Sequence, residues 1–279
     1  MDSQKINITT KDGKIELLRE FVIDDEFKLK YDEKEDEWDY FRNDIIVPKI
    51  SGKLYKYYSA NTRNIDALMN HYLYLANPTS FNDPFDCNVN LTPGIDEGIE
   101  RIDGFRKNNF ANIGVSCFSE VIDNPLMWAH YTNNYRGFAL EFTNNHIAGK
   151  TRKDQISRSS LTKVTYLKKL IKISSKLPFS MHYMFSTKHN HWSYEQEWRI
   201  ICELGNKPVD RFLTINKDMV KAIYVGHTLI DENSSEFRLI LKAHRFVYPN
   251  IPLYIVYPNF NDFTIVRKEF KDVYKGGKG

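Results

Sequence analysis

The sequence predicts an α+β fold: a mixed, mainly antiparallel sheet region with flanking helices. Short β-prone runs recur along the whole chain, helical periodicity separates only some of them, and no regular strand–helix–strand rhythm supports a doubly wound parallel sheet. A hydrophobic content of 42%, with 14% aromatic residues, gives a chain of 279 residues ample material for a core.

The elements follow in order. Residues 6–18 place Asp12-Gly13 between two β-prone stretches, the pattern of a tight hairpin. Residues 24–37 are so rich in charge that they read as a solvated helix face or linker. LYKYY (54–58) reads as a strand, and Asn61 or Thr62 caps a helix whose Ile65, Leu68, Met69 and Tyr72 fall on one face. LYLA (73–76) is another strand, and PTSFNDPFDCN (78–88) is a structured loop.

IGVSCF (113–118) reads as a buried strand. Asp123-Asn124-Pro125 starts a helix carrying Met127, Trp128 and Tyr131. GFALEF (137–142) and TKVTYL (162–167) are strands on either side of a polar loop or insertion, and 176–187 is helical. The polar segment 188–194 enters the strand 197–204. Further strands at 210–215, 221–225, 252–257 and 263–268 flank a helix near 232–245. Residues 1–50 are thus a hairpin with a charged extension, 51–270 a single α+β domain of catalytic type, and 271–279 a disordered tail.

The composition excludes several classes. Lys+Arg 39 against Asp+Glu 36 leaves a formal charge of +3, too balanced for a dedicated nucleic-acid binder held by bulk phosphate attraction. Cys87, Cys117 and Cys202 form neither a disulfide framework nor a C-x-x-C metal site, which suits reduced thiols in the cytoplasm. Neither a signal peptide nor an apolar run of about 20 residues is present, so no membrane association is expected. Rossmann, P-loop and G-x-S-x-G patterns are missing. His182, His189 and His191 lack the companions of a zinc site, and no metal is expected.

The chemical centre is placed in Tyr194-Glu195-Gln196-Glu197-Trp198-Arg199. Two glutamates two positions apart at a strand entrance share one face by alternation, and carboxylates that close raise one pKa and offer a proton acceptor or cation stabiliser. The alternative at this point is a solvated or ion-paired couple held by Arg199 or a lysine. Trp192, Tyr194 and Trp198 interleave with the acids: Trp128 and Trp198 are expected in the core, Trp192 and Tyr194 at the pocket.

LYKY (54–57), FNDPFD (81–86), CFSE (117–120), LMWAHYTNNYRGFALEF (126–142), VTY (164–166) and K-x-x-x-W-x-Y-E-x-E-W-R (188–199) resemble a widespread bacterial family, domain of unknown function 2971. A second resemblance carries chemistry. A strand with Tyr-[Arg/His], a helix, a strand ending in Ser, a helix and a strand opened by Glu-x-Glu together are similar to the three-part signature of ADP-ribosyltransferases.

That resemblance implies NAD as substrate and cleavage of its nicotinamide glycosidic bond, with Glu197, Glu195 and Ser119 catalytic and Tyr55, Lys56, Tyr57, Tyr131 and Tyr194 against NAD. Glu197 would hold the ribose 2′-hydroxyl, Ser119 would hydrogen-bond Glu197, and Glu195 would orient or deprotonate the acceptor. Tyr194 or Tyr57 would stack on nicotinamide. Lys56 departs from the pattern, replacing Arg or His with a point charge. The implied partners are a macromolecular acceptor, protein or nucleic acid, and an antitoxin or immunity protein, as for a toxin or phage-defence effector. Two other classes fit the same residues: a nuclease gathering Asp83, Asp86, Glu195 and Glu197 around Mg²⁺, and a non-enzymatic binding module whose glutamates pair with arginines.

Overall fold

The structure, a computed structural model, describes residues 5, 7–22, 27–34, 37–42, 45–46, 52–91, 99–143, 150–151, 159–173, 180–204, 211–231 and 233–273. It is mixed α+β with mainly antiparallel pairing, as the sequence predicts. Strands are numbered β1–β19 and helices α1–α6 in chain order. The chain divides into two compact units whose segments alternate in sequence: residues 1–49, 81–110 and 165–190 form one, and 50–80, 111–164 and 191–279 the other.

In the first unit β1 (Asn7–Thr9) and β2 (Ile15–Leu17) make the expected hairpin, with Gly13 at φ 76° in the turn. β3 (Glu20–Val22), β4 (Phe27–Asp32), β5 (Glu37–Arg42) and β6 (Ile45–Ile46) form an antiparallel meander. The expectation of a helix face or linker over 24–37 is therefore overturned. Within FKLKYD the buried Leu29 and Tyr31 alternate with lysines, a period of two that the density of charge obscures. α2 (Ile99–Asn109), α4 (Ser180–Phe185) and the parallel pair β13 (Thr165–Leu167) and β14 (Thr187–His189) complete the unit. The helix expected over 176–187 thus ends before Thr187.

The second unit is organised by an eight-stranded sheet. Its strands are β7 (Lys53–Ser59), β9 (Ile113–Ser119), β10 (Gly137–Thr143), β12 (Ser159–Lys163), β15 (Glu197–Glu203), β17 (Val220–Gly226), β18 (Leu253–Asn259) and β19 (Thr264–Glu269). Their spatial order is β12-β15-β9-β7-β10-β17-β18-β19, and only β17 and β18 run parallel, joined through α5 (Ser235–Phe246) as a parallel crossover requires. β8 (Tyr72–Tyr74), β11 (Lys150–Thr151) and β16 (Phe212–Thr214) form a smaller sheet.

Two sequence expectations need correcting. The strand expected over LYLA (73–76) is Tyr72–Tyr74 in the smaller sheet, and Ala76 instead bridges to Val115 of the larger one. TKVTYL is divided: β12 ends at Lys163, and Thr165 opens β13 in the other unit. Of the expected disordered tail 271–279, residues 271–273 are helical and 274–279 lie outside the described residues, as do 144–149 and 152–158 of the polar stretch.

Capping follows the sequence. Asn61 Oδ1 accepts from Asn64 N at 2.9 Å to start α1 (Thr62–Met69), and Asn124 Oδ1 accepts from Leu126 N at 2.9 Å before Pro125 opens α3 (Pro125–Tyr131). Ser234 caps α5. On one side of the sheet Leu54, Tyr58, Phe138, Leu140, Phe142 and Ile200 pack against Ile65 and Leu68 of α1 and Phe237 and Ile240 of α5. On the other lie Tyr55, Trp128, Ala139, Ala222, Tyr224 and Val256. α6 (Phe270–Val273) follows β19.

Candidate functional site

The register of the large sheet sets the site. Residues directly opposite one another on neighbouring strands point to the same side. Glu197 on β15 faces Ser119 on β9, Ser119 faces Tyr55 on β7, Tyr55 faces Glu141 on β10, and Glu141 faces Ala222 on β17. A second row beside it runs Arg199, then Cys117; further along the sheet Tyr57, Ala139, Tyr224 and Tyr254 line up in the same way. Three residues singled out by the signature, Tyr55, Ser119 and Glu197, therefore lie in one line across three adjacent strands.

Glu197 and Arg199 share a face as i and i+2 of β15. Arg199 Nε donates to Glu197 Oε1 at 2.8 Å and Nη2 to Oε2 at 2.9 Å, a two-point clamp between side chains that are almost wholly shielded from water, Arg199 at 0% and Glu197 at 4% exposure. The Cys117 thiol lies across the ladder and donates to the Glu197 carboxylate. Burial first and the Glu197 charge second push that thiol well up, so it stays protonated.

Glu195 reaches the cluster by a different route from the one its spacing suggests. Asn190–Glu195 is a 3₁₀ turn, and Gln196 follows in the left-handed region at φ 43°, so strand alternation does not govern Glu195. Glu195 is nevertheless buried, and the Tyr131 hydroxyl of α3 donates to its Oε1. Burial, then Glu195, then the more distant Glu197 raise the Tyr131 phenol far above its ordinary value. The two carboxylates thus converge beneath one tyrosine, with the period-two argument replaced by a turn.

Ser119 also differs from its expected role. Its Oγ donates to the backbone carbonyl of Glu195 at 2.6 Å and accepts from Val121 N at 3.1 Å, so it fixes the turn that carries Glu195 and not the rotamer of Glu197. Asn124 Nδ2 adds a bond to the Tyr194 carbonyl at 3.3 Å. Trp198 Nε1 donates to Glu120 Oε1 at 2.8 Å on the opposite side.

Lys56 pairs across the ladder with Leu140 and alternates away from Tyr55 and Tyr57. Its ammonium donates to the Cys117 carbonyl at 3.1 Å and lies 5.3 Å from the Phe118 ring centre and 5.4 Å from that of Tyr58. Burial lowers its pKa, opposed by the Cys117 and Glu197 groups. Tyr57 is fixed by a 2.7 Å bond to the Val121 carbonyl and stands edge-on to Trp128. Trp128 and Trp198 are buried, as expected, and Trp192 and Tyr194 are half-buried with ring centres 6.1 Å apart.

Sequence reasoning missed Glu141. Its Oε2 accepts from Tyr224 Oη at 2.6 Å and its Oε1 lies 2.8 Å from Lys53 Nζ. The signal was available: one glutamate in an otherwise apolar GFALEF strand must find partners if the strand is buried. Among the described residues no three His, Cys, Asp or Glu side chains gather as metal ligands. Asp83 accepts from Phe85 N within its own loop, and Asp86 accepts from Cys87 N and lies 3.6 Å from Lys188 Nζ of β14 in a buried ion pair.

The fold and site define an α+β protein with a buried carboxylate cluster at the entrance of a sheet strand. Residues 127–200, from α3 through most of β15, match a family model described as Protein of unknown function (DUF2971), in line with the resemblance carried by LMWAHYTNNYRGFALEF and the Trp-Ser-Tyr-Glu-Gln-Glu-Trp-Arg segment. No curated protein and no solved structure matches the chain. No helix among the described residues is long and apolar enough to cross a membrane.

Proposed function

We propose that this chain is an NAD-dependent ADP-ribosyltransferase-like enzyme that cleaves the nicotinamide glycosidic bond and transfers ADP-ribose to a macromolecule, as a toxin or phage-defence effector would. The observation that carries this reading is the line Tyr55–Ser119–Glu197 across β7, β9 and β15, since one residue from each of three motifs of the signature falls on one side of one sheet, while Lys56 at the Arg/His place points to the other.

The arrangement suits the chemistry in specific ways. Arg199 fixes the Glu197 carboxylate in a water-poor setting, and once that clamp opens the carboxylate can stabilise an oxocarbenium-like ribose. The bond from ribose C1′ to the nicotinamide nitrogen breaks, nicotinamide leaves with the electron pair, and the acceptor adds to C1′ while its proton passes to Glu195. Tyr131 covers Glu195 and must release it for that step. Ser119 acts through the backbone of the turn.

One observation favours a second reading, a non-enzymatic binding module: both Glu197 oxygens are already engaged by Arg199. Incubation with cell lysate and NAD labelled on its adenylate separates the two. Labelled macromolecule together with free nicotinamide, both lost in Glu197→Gln, is the expected result. No nicotinamide release by the wild-type chain, or equal release by Glu197→Gln, overturns the enzymatic reading.

A further inference from the structure

The row that contains Glu197 continues past Tyr55 to a second buried carboxylate, Glu141, for which the reaction above has no use. Glu141 is 4% exposed in the middle of β10, where an uncompensated charge is strongly unfavourable. Tyr224 compensates one oxygen with a short hydroxyl bond and Lys53 the other with its ammonium. Tyr55 is directly opposite Glu141 across the β7–β10 ladder, on the same side of the sheet; burial first and the Glu141 charge second raise its phenol to about 12, so it remains a donor.

The rings follow from these bonds. Tyr224 stands edge-on to Tyr55, with centres 5.9 Å apart at 80°, and stacks on Tyr254 at 5.1 Å and 21°. Ala139 and Ala222 are small, so Tyr224 is the large side chain that β10 and β17 set against the Tyr55 ring. Glu141 and the ring that it anchors bound Tyr55 on this side, and Ile122 and Trp128 share its cluster.

We propose that Glu141 is a positioning residue for the substrate site: it orients Tyr55, directly and through Tyr224, so that the Tyr55 ring forms the wall of that site in line with Ser119 and Glu197. The inference rests on the NAD reading of this side of the sheet. Glu141 touches no reacting atom, and its effect reaches the substrate only through Tyr55.

The test is a double-mutant cycle of Glu141→Gln and Tyr55→Phe, read as nicotinamide release over a range of NAD concentrations. A wall residue contributes similarly to bound substrate and transition state, so Glu141→Gln raises KM for NAD about tenfold and leaves kcat within about twofold. Tyr55→Phe does the same, and the double variant is no worse than either single one, because both changes remove one coupled element. A merely structural Glu141 instead lowers the folded fraction, and with it apparent kcat, without moving KM. Additive effects, or an unchanged KM in Glu141→Gln, overturn the positioning role while wild-type turnover keeps the NAD reading. Absence of wild-type turnover overturns both. Should Glu141→Gln fail to fold, Glu141→Asp enters the same cycle with the same criteria.

Discussion

The two sides of the eight-stranded sheet are made by the same strands and could hardly differ more in what they require. Beneath α1 and α5 the contacts are aliphatic and aromatic: Leu54, Phe138, Leu140, Phe142 and Ile200 meet Ile65, Leu68, Phe237 and Ile240. Such a core depends on shape and volume, and accepts exchanges that conserve both. On the other side Arg199, Glu197, Cys117, Ser119, Tyr55, Glu141 and Tyr224 form a band in which most groups have a named partner. Alternation alone assigns residues to a side. It does not reveal that one side tolerates substitution and the other is a chain of obligations.

The sharpest way to break this contrast is the Glu197–Arg199 clamp. Arg199→Met is expected to cost about 3–5 kcal/mol, because it strands a buried carboxylate. Adding Glu197→Gln to it should recover most of that loss, since the double variant leaves no buried charge without a counterpart. Phe142→Ala, on the apolar side, costs a similar ~3–5 kcal/mol through a cavity, and no second polar change repairs it. Urea unfolding of the four proteins measures this. A penalty below about 1 kcal/mol for Arg199→Met would mean that the pair is hydrated like a surface salt bridge.

A smaller effect comes from alkaline pH. Burial and Glu141 raise Tyr55 to about 12, and burial raises Tyr57 well above the ordinary phenol value. An unfolded phenol ionises near pH 10 while the folded one keeps its proton, so the folded chain binds more protons between the two values. The stability Tyr55 contributes is intact below pH 10 and declines from there to about pH 12, and Tyr57 adds to the decline above pH 10. Urea midpoints measured against pH should show the decline, and Tyr55→Phe should make it shallower. A slope identical in wild type and variant would place the Tyr55 hydroxyl in water.

The smallest effect belongs to Lys53, whose ammonium meets Glu141 while 59% of its side chain is exposed. Lys53→Gln should change stability by less than about 1 kcal/mol, and added salt should shrink the difference further. A larger loss would show that Glu141 depends on charge compensation and not on the Tyr224 hydroxyl.

Local signals in the sequence proved legible where geometry is local. The Asp12-Gly13 turn, the Asn61 cap, Pro125 in the first turn of α3, and the burial of Trp128 and Trp198 all follow from residues within a few positions. The long-range parts were not. Lys56 alternates to the other side of its strand, and Ser119 bonds a carbonyl 76 positions later in the chain, an arrangement that only the β9–β15 register creates. Glu195 takes its buried place beside Tyr131 from a 3₁₀ turn that ends in a left-handed Gln196, which a period of two cannot describe. Glu141 was overlooked because its partners Tyr224 and Lys53 come from two distant strands.

The strand order also constrains how the chain is made. β7, the first strand of the large sheet to leave the ribosome, ends up near its middle, and later strands extend it on both sides. β12 is the exception: its hydrogen-bonding neighbour is β15, which begins at Glu197, 34 positions after Lys163 closes β12. At a synthesis rate of roughly 5–20 residues per second, β12 waits ~2–7 s with its backbone donors and acceptors unpaired. During that interval it can pair with a stranger, as β7 can over the 54 positions from Ser59 to Ile113, and a cell making this chain quickly must keep both strands shielded until their neighbours arrive.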